Sequence, residues 1–250
     1  MKAIFIAAGS GSRLGDITKN VPKPMVLVNG KSILERQISI LKKNNINNIV
    51  VISGPHKEKF NLKNLTYLPD IDYLHHDQLG SLMTAREELN GDVLILYADI
   101  LFDEKILQQI TNTNCDFGIA IDMNWEKSYE HRFDNPKSEA DKVCMENGII
   151  KRLSKNIIHE KDQFKIGEFL GIIKLSNVGC ETLKNVFETL NQKNNLGKFH
   201  DARSFQRAKI IDILQEINMR KKMITPILIE GNWCEIDTPN DLILAEKSFS

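Results

Sequence analysis

The sequence predicts an α/β fold built on a doubly wound, mainly parallel, Rossmann-like sheet. Three short apolar runs, at residues 2–8, 48–54 and 92–98, are nearly continuous, which is typical of strands buried on both faces. Segments with helical spacing lie between these runs, and such alternation indicates a parallel sheet. Because ligands of such sheets bind beyond the carboxyl ends of the strands, functional residues are expected there.

The first half of the chain alternates between predicted strands and helices. The run KAIFIAA ends in a Gly/Ser cluster, which predicts a central first strand. Apolar residues then recur at helical spacing from Ile33 to Leu41, with Ser32 placed to cap the helix. The other predicted elements of this half are a strand at 48–54, a helix at 81–89 and a strand at 92–98.

The second half of the chain has a different texture. Residues 123–142 are polar and mixed, and residues 143–175 contain strand-like pieces such as IIKRL and FLGIIKL. We interpret this region as a small β insertion that forms the wall of a substrate site. Helical spacing returns at 202–219, followed by a predicted strand at 224–229 and a final helix after Pro239. Since no repeat or Pro-rich linker divides the sequence, we expect a single domain over residues 1–250.

Composition excludes several classes of protein. The chain is 42% hydrophobic and 26% charged, and its 33 Lys and Arg balance 33 Asp and Glu, so no net charge draws it to nucleic acid or to a membrane surface. The apolar runs are too short for a membrane span, and the first residues do not resemble a secretion signal. Four scattered cysteines without a CxxC pair suit reduced thiols, so we expect a cytoplasmic protein. The sequence leaves open whether it forms a homo-oligomer.

A Gly/Ser loop after the first strand carries the strongest local signal. Gly9 and Gly11 let the backbone approach a ligand, although a plain tight turn would also use them. The loop fits neither a dinucleotide fingerprint, because Leu14 stands where a third Gly or Ala is needed, nor a P-loop, because Gly-Lys-Ser/Thr is absent. Arg13 and Lys23 add cations, and prolines on both sides stiffen the chain at Lys23. We interpret the pattern as a polyphosphate site; the alternative for Arg13 is a solvated loop cation.

The run AAGSGSRL at residues 7–14, with PKP at 22–24, resembles the signature of the nucleotidyltransferases that activate sugar phosphates and phosphocholine. Further segments resemble this family in the family's order: GSL at 80–82, YAD ending at Asp99, GEFLG at 167–171 and WCEIDTPNDL at 233–242. The resemblance spans nearly the whole chain. It implies a glycosyltransferase-A type of sheet, with a nucleotide-binding part at about 1–122, an acceptor-binding insertion at about 123–175 and a C-terminal completion at about 176–250.

The resemblance also implies roles for single residues. Arg13 would neutralise the β and γ phosphates of a nucleoside triphosphate, and Lys23 would bridge its α-phosphate and the acceptor phosphate. Asp99 and Asp237 would be ligands of Mg²⁺. The implied nucleotide-binding residues are Ala7, Ala8, Gly9, Ser10, Gly11, Gly80 and Ser81.

The positions of the two aspartates bear on the metal interpretation. Asp99 follows a strand at its carboxyl end, where an unpaired carboxylate has little structural purpose. Its alternative role, capping a helix, suits Asp103 better. Asp237 has a stronger alternative, because Thr238-Pro239 resembles a helix start.

The implied chemistry needs no general base. An acceptor phosphate has a second pKa of about 6 and is already mostly dianionic near neutral pH. The protein therefore has to align two anions and spread their charge, and no Ser-His-Asp set is required. The run His75-His76-Asp77 is interpreted as an exposed strand end near the nucleotide in preference to a metal site.

The acceptor is inferred from the end of the chain and from the insertion. The sequence stops about ten residues after Asp237-Thr238-Pro239, and this short ending resembles the phosphocholine and aminoethylphosphonate cytidylyltransferase branch, which implies CTP as the donor. SEADKV at 138–143 and RLSKN at 152–156 resemble the same branch and place Lys142 and Lys155 near the acceptor.

Charge in the insertion favours an amino-acid phosphate. A choline head needs an aromatic cage, which Trp125 and Trp233 could help to build, but Arg132 lies among these rings and suits a carboxylate better. An amino-acid phosphate fits this mixture of charges, and the chain resembles cytidylyltransferases of capsule polysaccharide modification, which implies L-glutamine phosphate as the acceptor and CDP-L-glutamine as the product. The two tryptophans could instead be packing residues, and Arg132 could form a surface ion pair. The expected acceptor-binding residues are Arg132, Lys142, Glu168, Trp125 and Trp233.

Several alternatives stay open at this point. The acceptor could be phosphocholine, phosphoethanolamine, aminoethylphosphonate or a sugar 1-phosphate. A regulatory domain that binds nucleotide without turnover is a further possibility, although Arg13, Lys23, Asp99 and Asp237 argue against it. A glycosyltransferase of the same fold is disfavoured, because Ile100 and Leu101 follow Asp99 where a DxD motif is usual.

Overall fold

The computed structural model of the chain describes residues 1–9, 11–157, 163–193 and 197–249. Its strands are β1 (Lys2–Ala7), β2 (Leu27–Val28), β3 (Lys31–Ser32), β4 (Asn48–Ser53), β5 (Thr66–Pro69), β6 (Val93–Tyr97), β7 (Ile100–Phe102), β8 (Phe117–Asp122), β9 (Lys142–Glu146), β10 (Ile149–Ser154), β11 (Lys165–Leu175), β12 (Thr225–Leu228) and β13 (Trp233–Glu235). Its α-helices are α1 (Ile33–Lys43), α2 (Gln78–Thr84), α3 (Glu104–Asn112), α4 (Asn177–Gln192), α5 (Ile210–Met219) and α6 (Pro239–Ser248).

Nine of the strands form one sheet, in the order β10-β9-β11-β6-β1-β4-β5, with β8 paired to both β11 and β12. The part β6-β1-β4-β5 is parallel, as the sequence predicts. In contrast, β11 runs antiparallel to β6, β8 and β9. Helices α1 and α3 pack together, and α2, α4 and α5 form a second group. The α/β class and the doubly wound sheet are therefore confirmed.

Residues 142–175 join this same sheet through β9, β10 and β11. The turn between β9 and β10 is Asn147-Gly148, and both residues have positive φ, at 51° and 76°. This conformation matches the twist of a two-residue hairpin, and Asn-Gly tolerates it. The strand-like pieces predicted in the insertion are thus confirmed as antiparallel strands that extend the parallel part of the sheet.

The centre of the sheet determines where functional residues can lie. Strand β1 is paired on both sides, with Ala7 beside Ser53 of β4 and Ile6 beside Tyr97 of β6. Because these strands are parallel, their carboxyl ends open at one edge of the sheet. The Gly/Ser loop after Ala7 and the segment leading to Asp99 therefore emerge side by side.

The helix starts follow local capping chemistry. Ser32 caps α1, and its hydroxyl accepts from the backbone N–H of Glu35, whose carboxylate accepts from the N–H of Ser32. Helix α2 begins three residues before the predicted position because Asp77 caps it at Gln78. The helical spacing predicted for 202–219 forms a regular helix only from Ile210 onward.

No helix of the described residues is long and apolar enough to cross a membrane.

Gly171 provides a test of how tightly β11 packs against β6. Its φ is 73°, and a Cβ at this position would overlap the ring of Tyr97. We expect Gly171→Ala to lower the free energy of unfolding by about 2–4 kcal/mol, because backbone strain and overpacking add together. Gly148→Ala is the matched control, since its φ is 76° and no atom lies within 4 Å of the added Cβ. Urea unfolding measures both, and equal losses would contradict a packing role for Tyr97.

Candidate active site

A cleft with two connected parts lies at the carboxyl edge of the parallel strands. The first part, here the loop side, is lined by Ala7, Gly9, Lys23 and Pro24 together with Ile6 and Ala98. The second part, here the wall side, is lined by residues that include Arg13, Glu139, Asp141, Lys155, Glu168, Lys209, Trp233, Glu235 and Asp237. Gln78, Tyr97 and Asp99 line both parts. A ligand that spans the cleft would therefore pass Asp99.

Four charged side chains meet at the junction of the two sides. The Nζ atom of Lys23 lies 2.8 Å from Oδ2 of Asp99 and also donates to Oδ1 of Asp237. The guanidinium of Arg13 lies 2.8 Å from Oδ2 of Asp237, which also accepts from the amide of Asn135. Asp237 is buried, whereas the side chain of Arg13 is 54% exposed and remains accessible to a ligand.

Pairing of distant strands brings the two aspartates together. Strand β13 runs antiparallel to β7 and sets Glu235 beside Ile100, and the N–H of Ile236 donates to the carbonyl of Asp99 at 3.0 Å. Asp99 leaves β6 at its carboxyl end, so it meets the segment 235–237 directly. Predicted residues separated by more than 100 positions thus form one cluster.

Three carboxylates of this cluster could hold a cation. One oxygen each of Asp99, Glu235 and Asp237 lies within 4.8 Å of the others. Oδ1 of Asp99 is buried and has no hydrogen-bond partner within the described residues. Carboxylate oxygens are the ligands that Mg²⁺ uses in proteins, so the donor set fits that ion.

The electrostatics of the cluster favour additional positive charge. Burial opposes the charge of Lys23, but the nearby carboxylates of Asp99 and Asp237 raise its pKa above the ordinary value. Burial, together with the charges of Asp237 and Asp99, raises the pKa of Glu235 to about 8. The charges of Lys23 and Arg132 oppose this rise without cancelling it, so the cluster favours a further cation.

Asp237 owes its position to the start of α6 but does not cap it. The cap is Thr238, whose hydroxyl accepts from the N–H of Asp241. Oδ2 of Asp241 in turn accepts from the N–H groups of Asp237 and Thr238, at 3.0 and 2.9 Å. The capping function that competed with a functional role for Asp237 therefore belongs to its neighbours, and its carboxylate faces cations instead.

Arg132 supports this arrangement from a separate groove. Its Nε atom donates to Oδ1 of the buried Asp241 at 2.7 Å, and its guanidinium lies 4.8 Å from the ring centre of Tyr129. A second nitrogen lies 3.4 Å from a carboxylate oxygen of Glu235. Arg132 is buried and lines a groove with residues such as Glu130 and Asn232. The ion pair considered for Arg132 thus exists, but in the interior instead of on the surface. Contact of Arg132 with an acceptor stays a prediction.

The structure separates the other predicted acceptor residues into two pairs. Glu168 and Trp233 line the wall side. Glu168 accepts from the hydroxyl of Tyr129 at 2.6 Å, and the indole N–H of Trp233 donates to Asp122 at 2.8 Å. Both of these side chains are buried and border the wall side of the cleft, and their contact with an acceptor stays a prediction.

Trp125 and Lys142 face other parts of the protein. The indole N–H of Trp125 donates to the carbonyl of Ile166 at 3.1 Å, in a small apolar cluster with Tyr129. The ammonium of Lys142 donates to the carbonyl of Lys155 at 2.9 Å. The packing alternative therefore describes the contacts of Trp125, and Lys142 supports the turn that carries Lys155.

The predicted nucleotide-binding residues also divide. Ala7 and Gly9 line the loop side, and Gly11 has a φ of 64° with its Cα so close to Lys23 that a Cβ would lie 2.9 Å from Cβ of that lysine. Ser10 lies outside the described residues. Ala8 is buried beneath the loop. Its carbonyl oxygen lies so close to Gly54 that a side chain at position 54 would overlap it.

Gly80 and Ser81 lie inside α2. Gly80 packs against the ring of His76, and Ser81 donates to the buried Asp70 at 2.7 Å. His76 lies 3.1 Å from the same carboxylate. The expectation that residues 75–77 form a strand end is wrong, because Asp77 caps α2 and His75 lies in the preceding turn.

Sequence reasoning missed several residues of the cleft. Glu235 carries a usable signal, since it ends the short strand β13 only two residues before Asp237. Gln78 adjoins the GSL motif, and its amide oxygen accepts from the hydroxyl of Tyr97 at 2.9 Å. Asp141 lies within the SEADKV segment, but sequence reasoning singled out only its neighbour Lys142, and Lys209 carries no local signal because only the tertiary fold brings it to the wall side.

Comparison with known proteins gives a consistent picture. Residues 3–124 match the MobA-like NTP transferase domain. The chain is 31% identical over 255 residues to the CTP:phosphoglutamine cytidylyltransferase of Campylobacter jejuni, covering 97% of this chain and 98% of that protein. It is 36% identical over 117 residues to the choline-phosphate cytidylyltransferase of Streptococcus pneumoniae, covering 45% of this chain and 51% of that protein.

A solved structure shares the fold over the whole chain. The CTP:phosphocholine cytidylyltransferase from Streptococcus pneumoniae (LicC) superimposes with a TM-score of 0.73, covering 100% of this chain and 99% of that one. The two sequences are 21% identical over this match, so the likeness concerns the architecture alone.

The ion pair of Arg132 and Asp241 should be important for stability. We expect Arg132→Met to lower the free energy of unfolding by about 3–5 kcal/mol, because it leaves the buried carboxylate of Asp241 unpaired. Urea unfolding measures the loss, and Lys127→Met, at an exposed position of the same segment, is the control. A loss below about 1 kcal/mol, the range of an exposed pair, would contradict this role.

Glu168 should make stability depend on pH. Burial raises its pKa to about 8, although the hydrogen bond from Tyr129 opposes the rise. Because the unfolded chain releases this proton at lower pH, the native state loses stability as pH rises from its ordinary value of 4.5 towards 8. Glu168→Gln keeps an acceptor for Tyr129 and removes the ionisation, so its stability relative to wild type should increase over that range. The limit is about 1.4 kcal/mol for each unit of pKa difference.

Urea unfolding at about pH 5 and at about pH 8 tests this expectation, because both pH values lie above the ordinary pKa of a glutamate side chain. Glu130→Gln, at an exposed position nearby, is the control. A stability difference between Glu168→Gln and wild type that is the same at both pH values would show that Glu168 ionises normally in the folded protein.

Proposed function

Because this chain belongs to the nucleotidyltransferase family, we propose that it transfers CMP from CTP to a small phosphorylated acceptor and releases pyrophosphate. The acceptor that we propose is L-glutamine phosphate, which gives CDP-L-glutamine. The whole-length similarity to a CTP:phosphoglutamine cytidylyltransferase supports both substrates. The structural observation that carries the proposal is the cluster of Lys23, Arg13, Asp99 and Asp237 at the junction of a two-sided cleft.

The two sides of the cleft suit the two substrates. In this proposal the loop side, built by residues from the first half of the chain, holds CTP, and the wall side holds the acceptor. An oxygen of the acceptor phosphate attacks the α-phosphorus of CTP and forms the new P–O bond. The bond between the α-phosphorus and the bridging oxygen breaks, and its electron pair leaves with pyrophosphate. No proton has to be removed from a dianionic phosphate, so no general base is assigned.

The cations of the cluster account for the rest of the chemistry. Lys23 is held between two carboxylates on a stretch of chain that prolines stiffen, so its ammonium is preorganised at the point where the substrates meet. Arg13 is more exposed and stands on the loop, which suits contact with the leaving pyrophosphate. Both charges stabilise the negative charge that builds up as the phosphoryl groups approach each other.

The carboxylates of the cluster suit Mg²⁺. Asp99 and Asp237 would hold the ion, with Glu235 near enough to contribute, and the unpartnered Oδ1 of Asp99 provides a donor atom. When bound, Mg²⁺ neutralises phosphate charge and lowers the repulsion between the two substrates.

A pyrophosphate-release assay tests the proposal. We expect release only when CTP and a phosphorylated acceptor are both present, with CTP preferred over ATP, GTP and UTP. Among L-glutamine phosphate, phosphocholine, phosphoethanolamine and glucose 1-phosphate, the first should give the highest kcat/KM. Faster turnover of glucose 1-phosphate with another triphosphate would identify a sugar nucleotidyltransferase instead, and no release with any pair would indicate a domain that only binds nucleotide.

Lys23 should affect the chemical step more than substrate binding. We expect Lys23→Ala to lower kcat by at least about 10²-fold, the effect of losing one preorganised electrostatic partner. Lys19→Ala, at an exposed position of the same loop region, is the matched control. Circular dichroism confirms that both variants fold, and an unchanged kcat for a folded Lys23→Ala protein would remove Lys23 from the mechanism.

A further inference from the structure

The wall side of the cleft contains charges of both signs that the protein leaves without close partners. Oδ1 of Asp141 is buried and has no hydrogen bond within the described residues, and the ammonium of Lys155 is 3.9 Å away. Oε2 of Glu168 is likewise unpartnered there, although Glu168 is only 5% exposed. The ammonium of Lys209 forms no ion pair within 4.0 Å and no hydrogen bond among these residues, yet it lines the same space.

The backbone beneath the lysines is held in place by two carboxylates, the buried Asp212 and the partly exposed Asp201. Asp212, which is 3% exposed, accepts from the N–H of Lys209 at 2.8 Å and from the N–H of Asp201 at 2.9 Å. Asp201 accepts from the N–H of Lys155 at 3.0 Å and from the hydroxyl of Ser154 at 2.6 Å. One network therefore joins the two segments that carry Lys155 and Lys209, and it fixes where their side chains enter the cleft.

The two lysines differ in their availability to a ligand. Lys155 is engaged by Glu139, whose carboxylate lies 3.2 Å from its ammonium. Lys209 is half-buried. Its charge acts to lower the pKa of Asp141 and of Glu139, although it forms no ion pair with either. Within the described part of the chain, Lys209 is thus a wall-side cation without an ion pair, and the nearest cation to Asp141 there is the ammonium of Lys155 at 3.9 Å.

We propose that the wall side recognises the α-amino-acid group of the acceptor, with Lys209 binding the α-carboxylate and Asp141 binding the α-ammonium. This assignment rests on the proposed function, in which the acceptor is a phosphorylated amino acid. A zwitterion offers an anion to Lys209 and a cation to Asp141 at once, and the unpartnered oxygen of Glu168 is a further hydrogen-bonding group beside them. The phosphate at the other end of the acceptor would then point towards Lys23 and Asp99, which lie at the junction of the cleft.

Other acceptors would fit these charges less well. Phosphocholine and phosphoethanolamine carry a cation that Asp141 could accept, but they offer no anion to Lys209 and add a like charge to its surroundings. A sugar phosphate would offer neither a carboxylate to Lys209 nor an ammonium to Asp141. The arrangement therefore selects for a carboxylate and an ammonium together, and Lys209 takes the role for which sequence reasoning favoured Arg132 and Lys142.

The experiment compares three acceptors that differ by one charged group. They are L-glutamine phosphate, its analogue without the α-carboxylate and its analogue without the α-amino group, each assayed with CTP for pyrophosphate release. We expect wild type to prefer L-glutamine phosphate to each analogue by at least about tenfold in kcat/KM, which corresponds to about 1.4 kcal/mol. Lys209→Met should lose most of the discrimination against the analogue without carboxylate, and Asp141→Asn most of that against the analogue without amine.

The controls separate this inference from the proposed function. Lys222→Met, at an exposed position after α5, should behave as wild type, and Lys209→Arg should restore part of the carboxylate preference. Isothermal titration calorimetry with the same three compounds reports acceptor binding even if no pyrophosphate is released, so loss of turnover alone would contradict only the proposed function. Equal discrimination by wild type and Lys209→Met in both assays, or preference of wild type for the analogue without carboxylate, would overturn the inference.

Discussion

The ion pairs between Lys23 and the two aspartates are the interaction on which the rest of the site depends. Two carboxylates cannot lie this close in a partly buried cleft without a counterion, since their mutual repulsion would oppose the pairing of β7 with β13. The ammonium of Lys23 removes that repulsion. It also ties the loop after β1 to the segment before α6, so the N-terminal and C-terminal parts of the chain meet at the centre of the cleft.

A second layer of charge supports the first. Asp241 holds the backbone of Asp237, and Arg132 holds Asp241, so a residue outside the cleft determines where a cluster carboxylate points. On the wall side, Asp212 and Asp201 do the same for two lysines. In both places a buried carboxylate accepts hydrogen bonds from backbone N–H groups. These hydrogen bonds position the side chains that face the cleft.

The sequence predicts the centre of this structure well and its periphery poorly. Strands β1, β4 and β6 and helix α1 follow from local patterns, because buried parallel strands and capped helices have short-range signatures. Helix α4 was not predicted, although Cys180, Leu183 and Leu190 are spaced for one buried face. Strand β8 was also missed, since its position against β11 depends on long-range pairing.

The site divides in a similar way. Lys23 and Asp99 are recognisable because one lies between prolines and the other at a strand end, and both conditions are local. Whether Arg132 faces a ligand or a buried carboxylate is decided by the packing of α6, which no local pattern reports. Lys209 follows a loop, and its nearness to Asp141 exists only once residues 201–212 have docked on the insertion.

The division of the cleft into two sides has a consequence for how such enzymes diversify. Most of the side chains that line the loop side come from the first 99 residues, whereas many of those on the wall side come from residue 139 onward, and only three side chains are common to both. Substitutions in the wall outside the charged cluster of Arg13, Asp99, Glu235 and Asp237 can therefore change the acceptor specificity while nucleotide binding is retained. A duplicated gene can therefore gain specificity for a new acceptor through substitutions from residue 139 onward, while the nucleotide donor and the reaction stay the same.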